Sequence, residues 1–246
     1  MSESALAVFS DIHSNLEALG AVLADVDALG IQHRVCLGDI VGYAANPGKC
    51  LKLVRSLGCP VLKGNHDALA ATDDALDEMR DVAEIGIRFA RRKLTIEERE
   101  YLGGLPLTMA DGDCEFVHAS LNRPEDWIYL VRHEALQEHF KAQTNRICFS
   151  GHTHVPCIWH LSSKGELSPL AGEGQIELPT GGKILINVGS VGQPRDLCRD
   201  ACYAVYDPQY NSVEFRRIAY DLQKTKRKIL RAKLPTFAAQ RLSLGR

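Results

Sequence analysis

With 246 residues, 45% of them hydrophobic and 24% charged, the chain has the composition of a folded globular protein and not of a disordered one. Twenty-nine Lys and Arg against 31 Asp and Glu leave a net charge of −2, which excludes a protein that binds polyanions by bulk charge. No apolar run reaches the ~20 residues of a bilayer span, and Met1-Ser2-Glu3-Ser4 lacks the basic start and apolar stretch of a secretory leader, so a cytoplasmic location is expected.

Ala5-Leu6-Ala7-Val8-Phe9 is a short apolar run ending in Ser10-Asp11 and reads as a buried strand. Asn15 can cap a helix carried by Leu16, Leu19, Leu23, Val26 and Leu29, and Gly30 can end it. Arg34-Val35-Cys36-Leu37 reads as a second strand running into Gly38-Asp39. Pro47 opens a helix through Leu53, Val54 and Leu57 that Gly58 stops. Pro60-Val61-Leu62-Lys63 is expected as a third strand before Gly64-Asn65-His66-Asp67. This alternation implies βαβ units and an α/β fold.

Residues 73–102 read as helical, with Thr95 and Glu98 forming a capping box before a second helix. Cys114-Glu115-Phe116-Val117 is a strand ending at His118, and Arg132–Phe140 a short helix. Ile147-Cys148-Phe149-Ser150 is a strand leading into Gly151-His152-Thr153-His154. Short runs at 157–161, 175–178, 183–188, 201–206 and 212–218, with no long helix between them, point to a mainly antiparallel second sheet. Residues 221–246 hold eight Lys and Arg against one acid, a local +7, with Ile229, Leu230 and Leu234 among them. They read as a basic surface helix and lack the aromatic interleaving of a single-strand nucleic-acid platform. The eight cysteines contain no Cys-x-x-Cys pair and read as buried thiols.

The polar motifs all follow directly on predicted strands: Asp11-x-His13, Gly38-Asp39, Gly64-Asn65-His66-Asp67, Val117-His118 and Gly151-His152-Thr153-His154. In α/β sheets ligands bind beyond the carboxyl ends of strands, so these motifs would surround one crevice. Imidazole with carboxylate and amide oxygen suits Mn, Fe, Zn, Co or Ni, and no cysteine falls in these motifs. Asp11 and His13, and likewise His152 and His154, lie two apart, and on extended backbone each pair would point to one side. The donors Asp11, His13, Asp39, Asn65, His118, His152 and His154 exceed what one ion can use. Two divalent transition-metal ions sharing a carboxylate are the economical arrangement, and such pairs serve in-line attack on phosphorus.

Together these motifs resemble the calcineurin-like metallophosphoesterases, in particular their small bacterial and archaeal phosphodiesterase-like branch, over residues 6 to about 206. The resemblance implies a four-layer α/β-β-α sandwich of two mixed sheets flanked by helices. Residues 1–220 would form the phosphoesterase domain, and 221–246 a basic helical extension of it. It implies that Asp11, His13, Asp39 and His154 hold one metal and Asp39, Asn65, His118 and His152 the other, Asp39 bridging. His66 would be the non-ligand acid beside the leaving group. Asn187-Val188-Gly189-Ser190, continuing to Arg195, resembles that branch's late Asn-x-Gly-Ser loop near the site.

Protein serine/threonine phosphatases of this superfamily carry Gly-Asp-x-x-Asp-Arg-Gly and Gly-Asn-His-Glu. Here the first stretch is Gly38-Asp39-Ile40-Val41-Gly42-Tyr43, and Asp67 replaces the Glu, so a protein-phosphatase activity is not expected. Ala44 and Ala119 stand where relatives carry Gly, without removing a ligand.

The expected reaction is hydrolysis of a small-molecule or nucleotide phosphate diester, or a monoester, by a metal-bridging hydroxide. Arg195 would offset charge on the phosphoryl oxygens, His66 would protonate the leaving oxygen, and Asp67 would raise the pKa of His66 or orient it. Tyr43, Asn65, Asn187 and Ser190 are the expected substrate contacts, with Trp127 and Tyr129 as further pocket candidates and 122–130 as either a lid or an exposed connector. The alternatives are a non-catalytic interaction scaffold, and a nuclease or dinucleoside polyphosphate hydrolase. No membrane partner is expected, and the sequence leaves monomer and homo-oligomer both open.

Overall fold

A computed structural model describes residues 4–76, 81–172 and 174–246. Strand β1 (Leu6–Phe9) pairs in parallel with β2 (His33–Cys36), and α1 (Leu16–Ala28) makes the crossover that a parallel pair requires. On the other edge of β1, β10 (Ala201–Asp207) runs antiparallel, followed by β11 (Ser212–Ile218) and β8 (Gln175–Glu177), so the first sheet has the order β2-β1-β10-β11-β8.

The second sheet begins with the antiparallel pair β3 (Thr108–Asp111) and β4 (Cys114–Val117). It continues through β5 (Ile147–Ser150) and β9 (Lys183–Asn187), both parallel to β4. It ends with β6 (Cys157–Leu161) and β7 (Leu167–Leu170), antiparallel, in the order β3-β4-β5-β9-β6-β7.

The two-residue period of each strand divides its side chains between two cores. On β1, Val8 faces the space between the sheets with Leu37, Phe116, Phe149, Ile184, Ile186 and Ala204. Ala7 and Phe9 face Leu19, Val22 and Val26 of α1. On β5, Ile147 and Phe149 point between the sheets, while Cys148 packs on Leu136 and Phe140 of α6 (His133–Ala142). The layers are helix, sheet, sheet, helix: the four-layer sandwich of two mixed sheets expected from the sequence. Among the described residues no helix is long and apolar enough to cross a membrane.

Local signals act where they are written. Asn15 Oδ1 accepts from Ala18 N–H at 3.2 Å and caps α1. Pro47 opens α2 (Pro47–Ser56). Thr95 and Glu98 form the reciprocal capping box of α5 (Ile96–Gly104). All eight cysteines are free thiols.

The structure corrects several expectations. Residues 60–63 form one bridge, Cys36 to Val61, and not a strand, while Lys63 N–H donates to Pro106 O at 2.8 Å. Asn65, His66 and Asp67, expected directly after a strand, instead open α3 (Asn65–Ala71). Within 73–102, residues 73–76 are not helical, α4 (Asp81–Lys93) and α5 carry the helix, and 77–80 lie outside the described residues.

The late strands do not build a second sheet of their own. β10, buried along its whole length, inserts beside β1, while β9 continues the parallel run of β5. The basic segment is two helices, α7 (Leu222–Arg231) and α8 (Thr236–Leu244), broken at Pro235. Its apolar face is not at the surface: Ile229, Leu234, Ala238, Ala239 and Leu242 pack with Ala44 and Phe89. Part of its charge is matched internally, since Lys228 and Lys224 pair with Glu17 of α1 at 2.5 and 3.4 Å.

Candidate metal centre

The turns that follow β1, β2, β4 and β5, together with the first turn of α3, deliver the motif side chains to one buried cluster. Asp11, His13, Asp39, His118, His152 and His154 are all buried. The backbone reaches this arrangement by left-handed turns and not by extended chain. Asp11, His13, Asp39, His152 and His154 have φ between 48 and 65°. Non-glycine residues seldom adopt that region, and strain of this kind gathers at functional sites. The expectation that the i, i+2 pairs converge on extended backbone is therefore corrected: they converge because each residue turns separately. Gly64 and Gly151 allow the close approach, because a Cβ on Gly64 would overlap the Asp39 carboxylate, and one on Gly151 would overlap Ser10 and Asp11.

Three imidazoles are oriented in the same way. His13 Nδ1 pairs with Val41 O at 3.1 Å, His118 Nδ1 with Leu37 O at 3.0 Å and His154 Nδ1 with Gln193 O at 2.6 Å. A carbonyl can only accept, so each Nδ1 carries the proton and each Nε2 presents a lone pair when the ring is neutral. Those Nε2 atoms meet the carboxylates. His154 Nε2 lies 3.1 Å from Asp11 Oδ1 and 3.1 Å from His13 Nε2, while His13 and His118 Nε2 stand 3.6 and 3.5 Å from Asp39 Oδ2. The remaining oxygens are held by main chain: Asp11 Oδ2 accepts from His152 N–H at 2.9 Å and Asp39 Oδ1 from His66 N–H at 2.8 Å.

Among the described residues, three groups of possible ligand atoms lie within 4.8 Å of one another: Asp11, His13 and His154; Asp11, Asp39 and His118; and His13, Asp39 and His66. Asp11 Oδ1, Asn65 Oδ1, His118 Nε2 and both ring nitrogens of His152 are buried without a hydrogen-bond partner among the described residues. Buried polar atoms are normally satisfied, so this many orphans in one place mark a site that a bound species completes.

The electrostatics point the same way. Burial would raise Asp11 and Asp39, but the surrounding histidines outweigh it and hold both well below the usual carboxylate range. Burial would lower His118, but Asp39 raises it to about 9. Burial presses His152 to about 3 and His154 to about 4, so both are neutral at pH 7. Two ionised carboxylates buried among mostly neutral imidazoles favour a cation, and His/Asp/Asn donors suit a divalent transition metal.

Other expected residues land differently. Asp67 is buried, but its oxygens accept from Ile40, Val41 and Gly64 N–H, fixing the Asp39 and Gly64 turns instead of touching the His66 ring. Burial, with Asp39 adding to it, raises Asp67 to about 7. Burial lowers His66 to about 3, so the expectation that Asp67 raises its pKa is not met. Asn187 donates to Gly151 O at 2.5 Å and accepts from Gly189 N–H, and Ser190 donates to Asp11 O and accepts from Gln193 N–H, both at 2.9 Å. Both are buried with their polar atoms committed to the loops, so they position the site and are not exposed for substrate.

Tyr43 and Arg195 do face an opening, a cleft of about 470 Å³ that they line with Val82, Ala83, Tyr129, Phe237 and Arg241. The ring of Tyr43 lies 4.7 Å from His13, that of Tyr129 4.0 Å from His152 and that of Trp127 5.9 Å from His118. Phe237 and Arg241 were not singled out from the sequence; they sit in the stretch read there as a solvated basic face. Gln193, whose carbonyl orients His154 and whose side chain accepts from Arg195, was missed too, and a main-chain acceptor leaves no residue-type signal.

The chain belongs to the calcineurin-like phosphoesterase superfamily, whose domain profile matches residues 5–211. The uncharacterized protein MJ0912 of Methanocaldococcus jannaschii is 40% identical to it over 250 residues, covering 100% of both chains. The crystal structure of a metallophosphoesterase from Sphaerobacter thermophilus is similar with a TM-score of 0.86 at 34% identity over 100% of both chains. That of hypothetical protein PH1004 from Pyrococcus horikoshii OT3 is similar in fold, with a TM-score of 0.81 at 23% identity over 98% of both.

Proposed function

We propose that this chain hydrolyses phosphate diesters, monoesters being the alternative, at a centre of two divalent transition-metal ions. Asp11, His13, Asp39 and His154 would hold one ion, and Asp39, Asn65, His118 and His152 the other. The observation that carries this reading is the convergence of three Nε2 atoms, each with its Nδ1 tied to a carbonyl, on two buried ionised carboxylates. Asp39, whose Oδ2 lies 3.6 and 3.5 Å from His13 and His118 Nε2, would be the residue that both ions share. Bound ions of this kind act as Lewis acids on a phosphoryl oxygen and make a nucleophile available from water near neutral pH.

The protein's own part is orientation, charge and exclusion of water. The Nδ1–carbonyl ties fix tautomer and ring direction, as hydrogen bonds behind metal-binding histidines commonly do. Arg195, at the mouth of the cleft, would neutralise phosphoryl oxygens. Among the described residues its guanidinium donates to the neutral acceptors Tyr43 Oη and Gln193 Oε1, at 3.3 and 3.1 Å, and these do not neutralise its charge. His66 is the proposed proton donor to the leaving oxygen, a role that requires an anionic phosphate beside the ring to lift it from the value of about 3 at which burial holds it.

Metal analysis of the purified protein, with turnover of bis(p-nitrophenyl) phosphate under each of Mn, Fe, Zn, Co and Ni, tests the reading. About two ions per chain and metal-dependent turnover are expected. Fewer than one ion and no turnover with any metal would overturn it in favour of a scaffold.

A further inference from the structure

Three of the four proposed histidine ligands have a ring nitrogen tied to a main-chain carbonyl, and the fourth does not. His152 is 3% exposed, and both of its ring nitrogens lack a hydrogen-bond partner among the described residues. Its backbone is fixed, because its N–H donates to Asp11 Oδ2 at 2.9 Å and its φ of 65° is left-handed. The ring is a separate matter. Among the described residues no carbonyl sets which way it faces or which nitrogen it presents. An imidazole that has to be ordered when an ion arrives binds that ion more weakly than one already in place.

What the His152 ring does meet is aromatic. The Tyr129 ring lies 4.0 Å from it, centroid to centroid, with 35° between the planes, and the His118 ring lies 5.2 Å away, edge-on. A tilted stack holds a ring by its face and leaves the nitrogens on its edge free. Tyr129 is 48% exposed, so one side of it covers His152 and the other faces out. Trp127, two residues earlier, meets His118 edge-on with centroids 5.9 Å apart. The two rings thus bear on the pair of histidines assigned to one ion, whereas His13, assigned to the other, meets Tyr43.

The loop that carries these rings is pinned at both ends. Leu121 N–H donates to Nδ1 of the buried His139 on α6 at 3.2 Å, and Leu130 is buried with Val117, Leu136 and Phe140. Between the anchors a single 3₁₀ turn (Pro124–Asp126) is flanked by Arg123 and Trp127, with φ of 49 and 52°. Left-handed backbone is costly for a non-glycine residue and persists where its surroundings hold it.

We propose that Tyr129 is a positioning residue for His152. Its ring holds that imidazole toward the ion at Asp39, Asn65 and His118, in place of the carbonyl tie that His13, His118 and His154 have. This rests on the dinuclear reading above, and its consequence is that one ion of the pair depends on Tyr129 and the other does not.

Calorimetric titration of the chelator-treated full chain with Mn²⁺ tests the role, on wild type, Tyr129→Phe, Tyr129→Ala, His152→Ala and the double variant. The wild type is expected to bind two ions. Tyr129→Ala should weaken one of them about tenfold and the other by less than about twofold. Tyr129→Phe keeps the ring and should leave both affinities within about twofold of wild type. In the His152→Ala background, Tyr129→Ala should change binding by less than about twofold, because it acts only through that imidazole. Both ions weakened alike, neither weakened, Tyr129→Phe as damaging as Tyr129→Ala, or the full loss repeated without His152 would each overturn the role and leave the metal centre standing. A wild type that binds fewer than two ions removes the dinuclear centre and this role with it. Thermal unfolding in chelator identifies any loss that comes from misfolding, in which case Tyr129→Leu replaces Tyr129→Ala with the same expected outcomes.

Discussion

The two carboxylate oxygens of Asp39 face different neighbours. Oδ1 accepts from the His66 main-chain N–H at 2.8 Å, and Oδ2 stands 3.6 and 3.5 Å from His13 and His118 Nε2. Because the tie from residue 66 runs through the backbone, His66→Ala keeps it while deleting the ring. The ring itself falls within one possible ligand group, with His13 and Asp39, so its role divides into two outcomes. If His66 donates the proton, His66→Ala keeps the metal content and loses ~10²–10⁴ in kcat for alkyl esters. For p-nitrophenyl esters, whose leaving oxygen needs no proton, the loss should be much smaller. Metal analysis beside kcat for methyl and p-nitrophenyl leaving groups reads this directly. A fall in bound metal, or an equal loss for both leaving groups, would remove His66 from the donor role.

At the scale of elements, α1 is fastened to the first sheet by a polar anchor as well as by its apolar face. Asp25 of α1 accepts from Tyr203 Oη of β10 and from Arg216 Nε of β11, both at 2.6 Å, and from Arg216 Nη2 at 3.0 Å. The Arg216 guanidinium holds the Asp25 carboxyl below the usual carboxylate range. Among the described residues, Asp25→Ala leaves the Tyr203 phenol without this acceptor and Arg216 with Glu214 alone, at 2.9 Å, and should cost about 1–3 kcal/mol, measured as a fall in denaturation midpoint in urea at unchanged slope. Tyr203→Phe, which removes one neutral donor, should cost about 1 kcal/mol. The strand ends that carry the cluster were legible in the sequence, because Phe9, Cys36, Val117 and Ser150 close apolar runs that a polar turn follows. The sheet to which each late strand belongs was not legible, since pairing is a long-range matter that period-two alternation leaves open. Nor was the seating of α8: its buried positions are two alanines and one leucine, next to the Lys- and Arg-rich α7, and nothing local distinguishes that from a solvated face. Asn187 and Ser190 looked like substrate contacts because a buried loop anchor and a ligand contact use the same residue types.

For the whole molecule the consequence is that the proposed metal centre would exchange protons for cations. Ionised Asp11 and Asp39 are buried with His118, which Asp39 lifts from 6.5 to about 9 over the opposing effect of burial. Without a cation, His118 therefore carries a proton at pH 7 and supplies the positive charge that the carboxylates require. A bound metal at His118 Nε2 must displace that proton, whereas His152 and His154, held at about 3 and 4, are already neutral and offer their nitrogens freely. The sign follows from mass action: below pH 9 each lower pH unit makes the His118 proton harder to expel. Affinity for the ion at that position should thus rise about tenfold per unit between pH 6.5 and 8.5 and flatten above about 9. Calorimetric titrations of chelator-treated protein with Mn²⁺, in two buffers of different ionisation enthalpy at pH 7.5, should show about one proton released by the site. The same titrations on His118→Asn should show weaker binding without the pH slope. A wild-type affinity that stays flat across this range would mean that His118 does not hold the metal, and the division of ligands around Asp39 would have to be redrawn.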